Sequence, residues 1–179
     1  MEKVEDVPDV GRQQEILFEE ALAAYGGALE RLSRAYEADA EVRRDLLQEI
    51  HIALWRSFEG FDNRCSMRTW VYRVAHNTAA SHVARQVRSK KQVLVGFEDL
   101  EHLPDRMEGE DAADRRCSVD RLLRLIQQLE PLDRQVMLAY LEGLDAASTA
   151  EITGLSARNV ATKIHRIKGL LARRFQGEE

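Results

Sequence analysis

Cysteine, proline and long apolar runs are scarce in this chain, and each scarcity removes a class of protein. The only cysteines, Cys65 and Cys117, lie far apart and fit no CxxC or metal-ligand spacing. They read as free thiols of a reducing cytoplasm, not as a disulfide or zinc framework. No apolar run approaches the roughly 18 residues of a membrane span. The opening MEKVEDVPDV is acidic and has no apolar centre, so neither a signal peptide nor an N-terminal anchor is expected. Phosphate loops, HExxH, GxSxG and Cys/His clusters are missing, which leaves little support for an enzyme, a metal or a cofactor. Prolines number three (Pro8, Pro104 and Pro131), and Val/Ile/Thr alternation is nearly absent. Strands therefore have no signal.

What remains is helical. Leu17, Leu22, Leu29 and Leu32, then Leu46, Leu47, Ile50 and Leu54, recur at helical spacing. At 44% hydrophobic and 32% charged, the 179 residues suit a globular chain of one domain or two small ones. The expected fold is all-α. One segment breaks the pattern: between Glu98 and Asp114 there are eight acids, one base, Pro104 and Gly109. This predicts two helical domains, 14–91 and 118–176, joined by an acidic linker, 92–117. The formal charge of −5 conceals a basic–acidic–basic segregation.

The second domain carries the most specific pattern. A helix follows Pro131 and stops near Gly143, a short helix runs from about Asp145 to Thr153, and a long one follows. Ala150 precedes Gly154 by four residues, and Val160 follows six later, which is helix-turn-helix spacing. Ala150 lets the helices approach, Gly154 permits a φ > 0 turn, and Ser156 is a good N-cap. Val160, Ile164, Ile167 and Leu171 form the inward stripe. Arg158, Asn159, Thr162, Lys163, Arg166 and Lys168 fall on the other face, and Leu155–Phe175 holds six Lys/Arg and no acid. Amides and guanidinium groups at the start of such a helix suit base edges in a major groove. The plain alternative is an αα-hairpin with a solvated basic face. Small residue, turn and charge agree on DNA.

The first domain has its own anomaly. MRTWVYRVAHNTAASHVARQVRSKK, Met67–Lys91, has six Lys/Arg, no acid, and two aromatics, Trp70 and Tyr72, at its start. Val71, Val74, Ala75 and Thr78 would face inward, with Arg73, Asn77, Ser81, Arg85 and Arg88 outward. Rings beside guanidinium groups suit unpaired nucleic acid, where bases stack and phosphates meet charge. Trp70 alone reads more simply as core. His76 and His82 lie off the i, i+4 spacing of a metal pair. Upstream, Asp45, Gln48, Glu49 and Ile52 share one helix face, fit either for solvent or for a basic helical partner.

Together, RDLLQEIHIALWRSFEGFDN…RTWVYRVAHNTAASHV and the C-terminal helix-turn-helix resemble a bacterial sigma factor of the sigma-70 superfamily, in its two-domain extracytoplasmic-function (ECF) group. The resemblance implies that the helix of Asp45, Gln48, Glu49 and Ile52 docks on the β′ coiled coil of RNA polymerase. It implies that the loop Gly60–Ser66, including Asn63, and the helix Trp70–Arg88 capture the −10 element as unpaired non-template strand. The helix from Ser156 to Lys168 would read the −35 duplex. Implied partners are core RNA polymerase through β′ and β, promoter DNA and an anti-sigma factor, in the cytoplasm and without membrane insertion. Ser81 stands where family members often carry Asp, and Ala161 where a basic residue is frequent. The short helix also lacks the family's usual second acid near Ser148. These departures bear on promoter sequence and individual contacts more than on function class. No further sensory domain is expected after Phe175. The rival reading is a helix-turn-helix transcription regulator whose first domain senses a ligand or dimerises.

Overall fold

The computed structural model describes residues 10–90 and 115–176. Most of the expected acidic linker falls outside them, as does the side chain of Cys117. Among the described residues there are seven α-helices and no strand. The first unit is α1 (Val10–Tyr36), α2 (Ala40–Ser57), a 3₁₀ turn (Phe58–Gly60) and α3 (Met67–Lys90). The second is α4 (Arg115–Gln128), α5 (Pro131–Leu141), α6 (Ala146–Thr153) and α7 (Ala157–Gln176). Thus α1 begins upstream of position 14, and α4 begins inside the segment read as linker.

Local chemistry sets the helix boundaries. Asp39 caps α2, its carboxylate accepting from the amides of Glu41 and Val42 at 2.9 and 3.0 Å. Ser66 caps α3 by accepting from the Thr69 amide at 3.1 Å. Pro131 opens α5, where a missing amide proton costs nothing. Gly143 and Gly154 end α5 and α6 with φ of 74° and 75°, which side chains with a Cβ resist.

In the first unit, Leu46, Ile50 and Leu54 of α2 are buried with Leu29 and Leu32 of α1 and Val71, Ala75 and Ala79 of α3. Each fully buried leucine contributes about 1.5–3 kcal/mol. The same apolar core continues into the second unit through Leu125 and Ile126 of α4, Leu129 just after it, Leu138 of α5 and Ile167 and Leu170 of α7. A smaller cluster, Ala28, Tyr72, Ala139, Leu144 and Ile152, joins α1 and α3 to α5 and α6.

The two units are therefore packed together. At their joint lies Arg134, a fully buried arginine of α5. It donates to the carbonyl of Leu129 at 3.0 Å and to that of Gln127, satisfying the C-terminal end of α4. It also donates to the Tyr36 carbonyl at 3.4 Å and lies over the Tyr36 ring at 5.1 Å. Burial lowers the pKa of Arg134 and raises that of Tyr36.

Candidate nucleic-acid interface

Three surfaces carry the residues singled out by sequence. The first is the outer face of α2. Asp45 and Gln48 are exposed there, and Ile52 keeps 50% of its surface. Trp55 lies one turn on and is 38% exposed, with its ring edge-on to Phe18 at 5.4 Å. Sequence reading passed over Trp55, although its i, i+3 spacing from Ile52 extends the same apolar ridge. Glu49 lies half-buried at the edge of this face, with its carboxylate turned toward α3. Its carboxylate accepts from Arg85 at 2.5 Å and lies 3.9 Å from His82.

The second surface is the loop before α3 and the stripe that continues it. Asn63 has φ of 59°, a left-handed conformation that Asn adopts more readily than most residues. Asp62 accepts from the Arg64 amide at 3.1 Å and pairs with its guanidinium at 2.9 Å, bracing the turn. Arg73, Asn77, Ser81 and Arg85 recur every four residues along α3, so they share a face. Asn77, Ser81 and Arg85 are exposed. The side chain of Arg88 lies outside the described residues.

The two aromatics serve packing more than display. Trp70 donates to the Ser57 hydroxyl at 2.9 Å and packs on Phe61 at 5.2 Å. Tyr72, read from sequence as a stacking partner for bases, is 2% exposed, so stacking is closed to it. Its hydroxyl donates to Glu142 at 3.2 Å, and burial pushes its pKa up to about 12.

The third surface is α7. Asp145 caps α6 by accepting from the Ser148 amide at 2.7 Å. Gly154 then reverses the chain, and the Ser156 hydroxyl accepts from the Asn159 amide at 3.2 Å. Val160, Ile167 and Leu171 are buried and Ile164 partly so. This turns Ser156, Arg158, Asn159, Thr162 and Arg166 outward, where all five are exposed. Lys163 differs. Its ammonium donates to Asp133 of α5, whose side chain is 6% exposed. Helix periodicity put Lys163 on the outer face, and the buried carboxylate of Asp133 draws it inward.

This geometry has known counterparts. The model of sigma-70 region 2 matches residues 22–89, and that of sigma-70 region 4 matches residues 120–171. Together they cover two thirds of the chain. The chain belongs to the sigma-70 family. It is 23% identical to the RNA polymerase sigma factor NccH of Alcaligenes xylosoxydans xylosoxydans, over 90% of this chain and 88% of that one. It is 27% identical to the ECF RNA polymerase sigma-E factor of Haemophilus influenzae, over 74% of each. Its fold is shared with the sigma factor RpoE of Bartonella quintana, solved with the anti-sigma factor NepR: TM-score 0.66, 15% identity, 90% of this chain and 98% of that one covered.

This protein is thus an RNA polymerase sigma factor of ECF type, a transcription initiation factor, and the regulator alternative is not favoured. Its α1–α3 unit corresponds to region 2 and its helix-turn-helix unit to region 4. In this sigma factor a cleft of about 800 Å³ opens between the two regions, walled by Asp62, Ser66, Trp70 and Arg73 on one side and Ser148 and Glu151 on the other. Among the described residues no helix is long and apolar enough to cross a membrane.

Proposed function

We propose that this sigma factor divides promoter recognition among its three surfaces. Asp45, Gln48, Glu49 and Ile52, with Trp55 beside them, dock on core RNA polymerase through the β′ coiled coil, while region 4 meets β. Asn63 and the stripe Arg73, Asn77, Ser81 and Arg85 hold an unpaired −10 strand, with Arg88 continuing it. Ser156, Arg158, Asn159, Thr162 and Arg166 read the −35 duplex, and Lys163 joins them only if released from Asp133. An anti-sigma factor, like the one bound to the Bartonella relative, is a further partner. The cytoplasm is where these partners meet.

One observation carries the −10 part. The four-residue periodicity of polar and cationic side chains on α3 continues directly into a polar loop held in left-handed geometry at Asn63. An irregular loop offers donors and acceptors that a helix consumes internally. A base read on its Watson–Crick edge must leave the stack, at a few kcal/mol. Phosphate and stacking contacts along the neighbouring helix offset that cost.

The test is promoter melting followed by permanganate reactivity of unpaired thymines. Asn63→Gly keeps the backbone conformation while deleting the amide, and Asn77→Ala deletes the second. The double variant slows open-complex formation on duplex promoters and recovers only partly on a premelted one. Normal melting by the folded double variant removes these residues from strand capture.

A further inference from the structure

Both lysines that sequence placed on the outer face of α7 are held by α5. The Lys163 ammonium donates to the Asp133 carboxylate. That of Lys168 donates to the Tyr140 hydroxyl at 3.0 Å and lies 5.0 Å from the centre of its ring. Asp133 and Tyr140 are two turns apart, hence on one face of α5. On α7, at about 100° per residue, Lys163 and Lys168 flank the buried stripe of Val160, Ile167 and Leu171 on opposite sides. The two tethers differ in kind. A phenol hydroxyl leaves the charge of Lys168 whole, whereas the carboxylate of Asp133 cancels that of Lys163. We propose that Asp133 is a positioning residue for −35 recognition: it neutralises and withholds Lys163, so that the duplex is read by the exposed residues Ser156, Arg158, Asn159, Thr162 and Arg166. This rests on the reading of α7 as the −35 helix.

The asymmetry of the pair makes it a tether. The Asp133 side chain is 6% exposed and that of Lys163 34%. A carboxylate so buried needs a partner, because an unpaired charge away from water is costly. DNA must therefore offer Lys163 more than a phosphate offers a lysine that leaves only solvent. An ammonium has three N–H donors, so Lys163 could touch a phosphate without leaving Asp133. Even then the ion pair presents almost no net charge. Duplex affinity follows the number of phosphates a protein neutralises, and a cation already neutralised adds little.

The position of Lys163 gives the tether its consequence. Lys163 lies one turn after Asn159 and one turn before Arg166, both exposed. Released, its ammonium would join their edge of the helix. A lysine meets phosphate as a point charge and carries little of the bidentate geometry that reads a base. The added contact would thus strengthen binding to any duplex. Withholding it keeps affinity for arbitrary DNA low and leaves base contacts a larger share of −35 binding.

The test is a salt titration of duplex binding by the full chain, whose outer α7 face is exposed. The probe is a mixed-sequence duplex of about 20 base pairs, read by fluorescence anisotropy at low salt. Asp133→Asn frees Lys163, tightens binding about fivefold and steepens the slope of log K against log salt by about 0.9, one added phosphate contact. In a Lys163→Ala background the same Asp133→Asn change alters neither. Asp133→Glu keeps the tether and the wild-type slope, and Tyr140→Phe leaves the slope unchanged. Equal gains from Asp133→Asn with and without Lys163 would mean a general effect of charge and overturn the proposal. Lys163→Gln supplies a second route, because an amide can still donate to Asp133. Its slope matches wild type; a slope shallower by about 0.9 shows Lys163 already on a phosphate and overturns the proposal. Arg158→Ala weakens binding if α7 meets DNA. No loss there overturns the −35 reading of α7 itself, and the role of Asp133 falls with it.

Discussion

Arg85, on the face of α3 assigned to DNA, donates to Glu49, on the helix assigned to the polymerase, at 2.5 Å. Both side chains are more than two-fifths exposed, so the pair is worth at most about 1 kcal/mol and is cheap to exchange. A docked basic coiled coil would compete with Arg85 for Glu49 and leave Arg85 available to a phosphate. Charge reversal, Asp45→Arg with Glu49→Arg, weakens binding to core polymerase by tenfold or more, because like charges then meet. The fold survives, since Asp45 is exposed and Glu49 gives up only a surface pair with Arg85. Adding Arg85→Ala relieves the new repulsion within region 2 without restoring core affinity. Unchanged core affinity in the folded double variant removes this face from docking. The readout is a titration of labelled sigma factor with core.

Lys163→Ala separates structure from recognition. Deleting the ammonium leaves the buried Asp133 carboxylate without its partner. Breaking a fully buried pair costs about 3–5 kcal/mol. Lys163 is about a third exposed, so about 2 kcal/mol is expected here. Arg158→Ala leaves stability unchanged and loses about 1–3 kcal/mol of −35 affinity if it contacts a base edge, with specificity relaxed at that position. Thermal melts and duplex binding across a promoter library check both. A Lys163→Ala chain that melts as wild type would show the tether to be idle.

These two residues illustrate what the sequence could reveal. The helix-turn-helix was legible because its determinants are local: the left-handed turn at Gly154, the cap at Ser156 and the stripe through Val160 and Ile167 all sit within a few residues of one another. The exposure of Asp45 and Gln48 followed from helix periodicity. Partners distant in sequence were not legible. Nothing local to Lys163 announces Asp133, and nothing local to Glu142 announces Arg31, 111 positions away. Tyr72 misled because an aromatic ring satisfies a core and a stacking platform equally well. Only the packing of Ala28, Ala139, Leu144 and Ile152 around it decides.

Trp70 is argued to be a packing residue that braces the loop. Its indole joins Ser57 and Phe61, which flank the 3₁₀ turn. Trp70→Ala costs about 3 kcal/mol, the lower end for a large aromatic, because the ring is only partly buried. Trp70→Phe keeps the ring contact, loses the hydrogen bond and costs about 1 kcal/mol. Urea denaturation of each variant measures this. A Trp70→Ala chain of wild-type stability that fails to melt promoters would mean that the ring acts on DNA.

His76 sets an acid limit on region 2. It is buried, its Nδ1 lies 3.1 Å from the Tyr36 hydroxyl, and burial pulls its pKa down to about 3. Below the ordinary histidine value near 6.5, the unfolded chain binds a proton that the folded chain refuses, so stability falls as pH falls. From pH 6.5 to 5 the loss attributable to His76 is about 2 kcal/mol, at about 1.4 kcal/mol per pH unit. His76→Gln, which keeps an acceptor for Tyr36, flattens that slope. Equal slopes for variant and wild type across this window would place the acid sensitivity elsewhere.

The most direct measurement is reconstituted transcription. The full chain is mixed with core RNA polymerase, the complex is resolved by size-exclusion chromatography, and run-off synthesis is followed on a genomic promoter library. The account predicts one sigma factor per core and transcripts starting at a small set of promoters with shared −10 and −35 elements. It also predicts that the free chain binds the same duplexes poorly, since an acidic protein neutralises few phosphates. The contradicting result is a chain that does not co-elute with core, supports no promoter-specific start, and alone binds a defined duplex tightly.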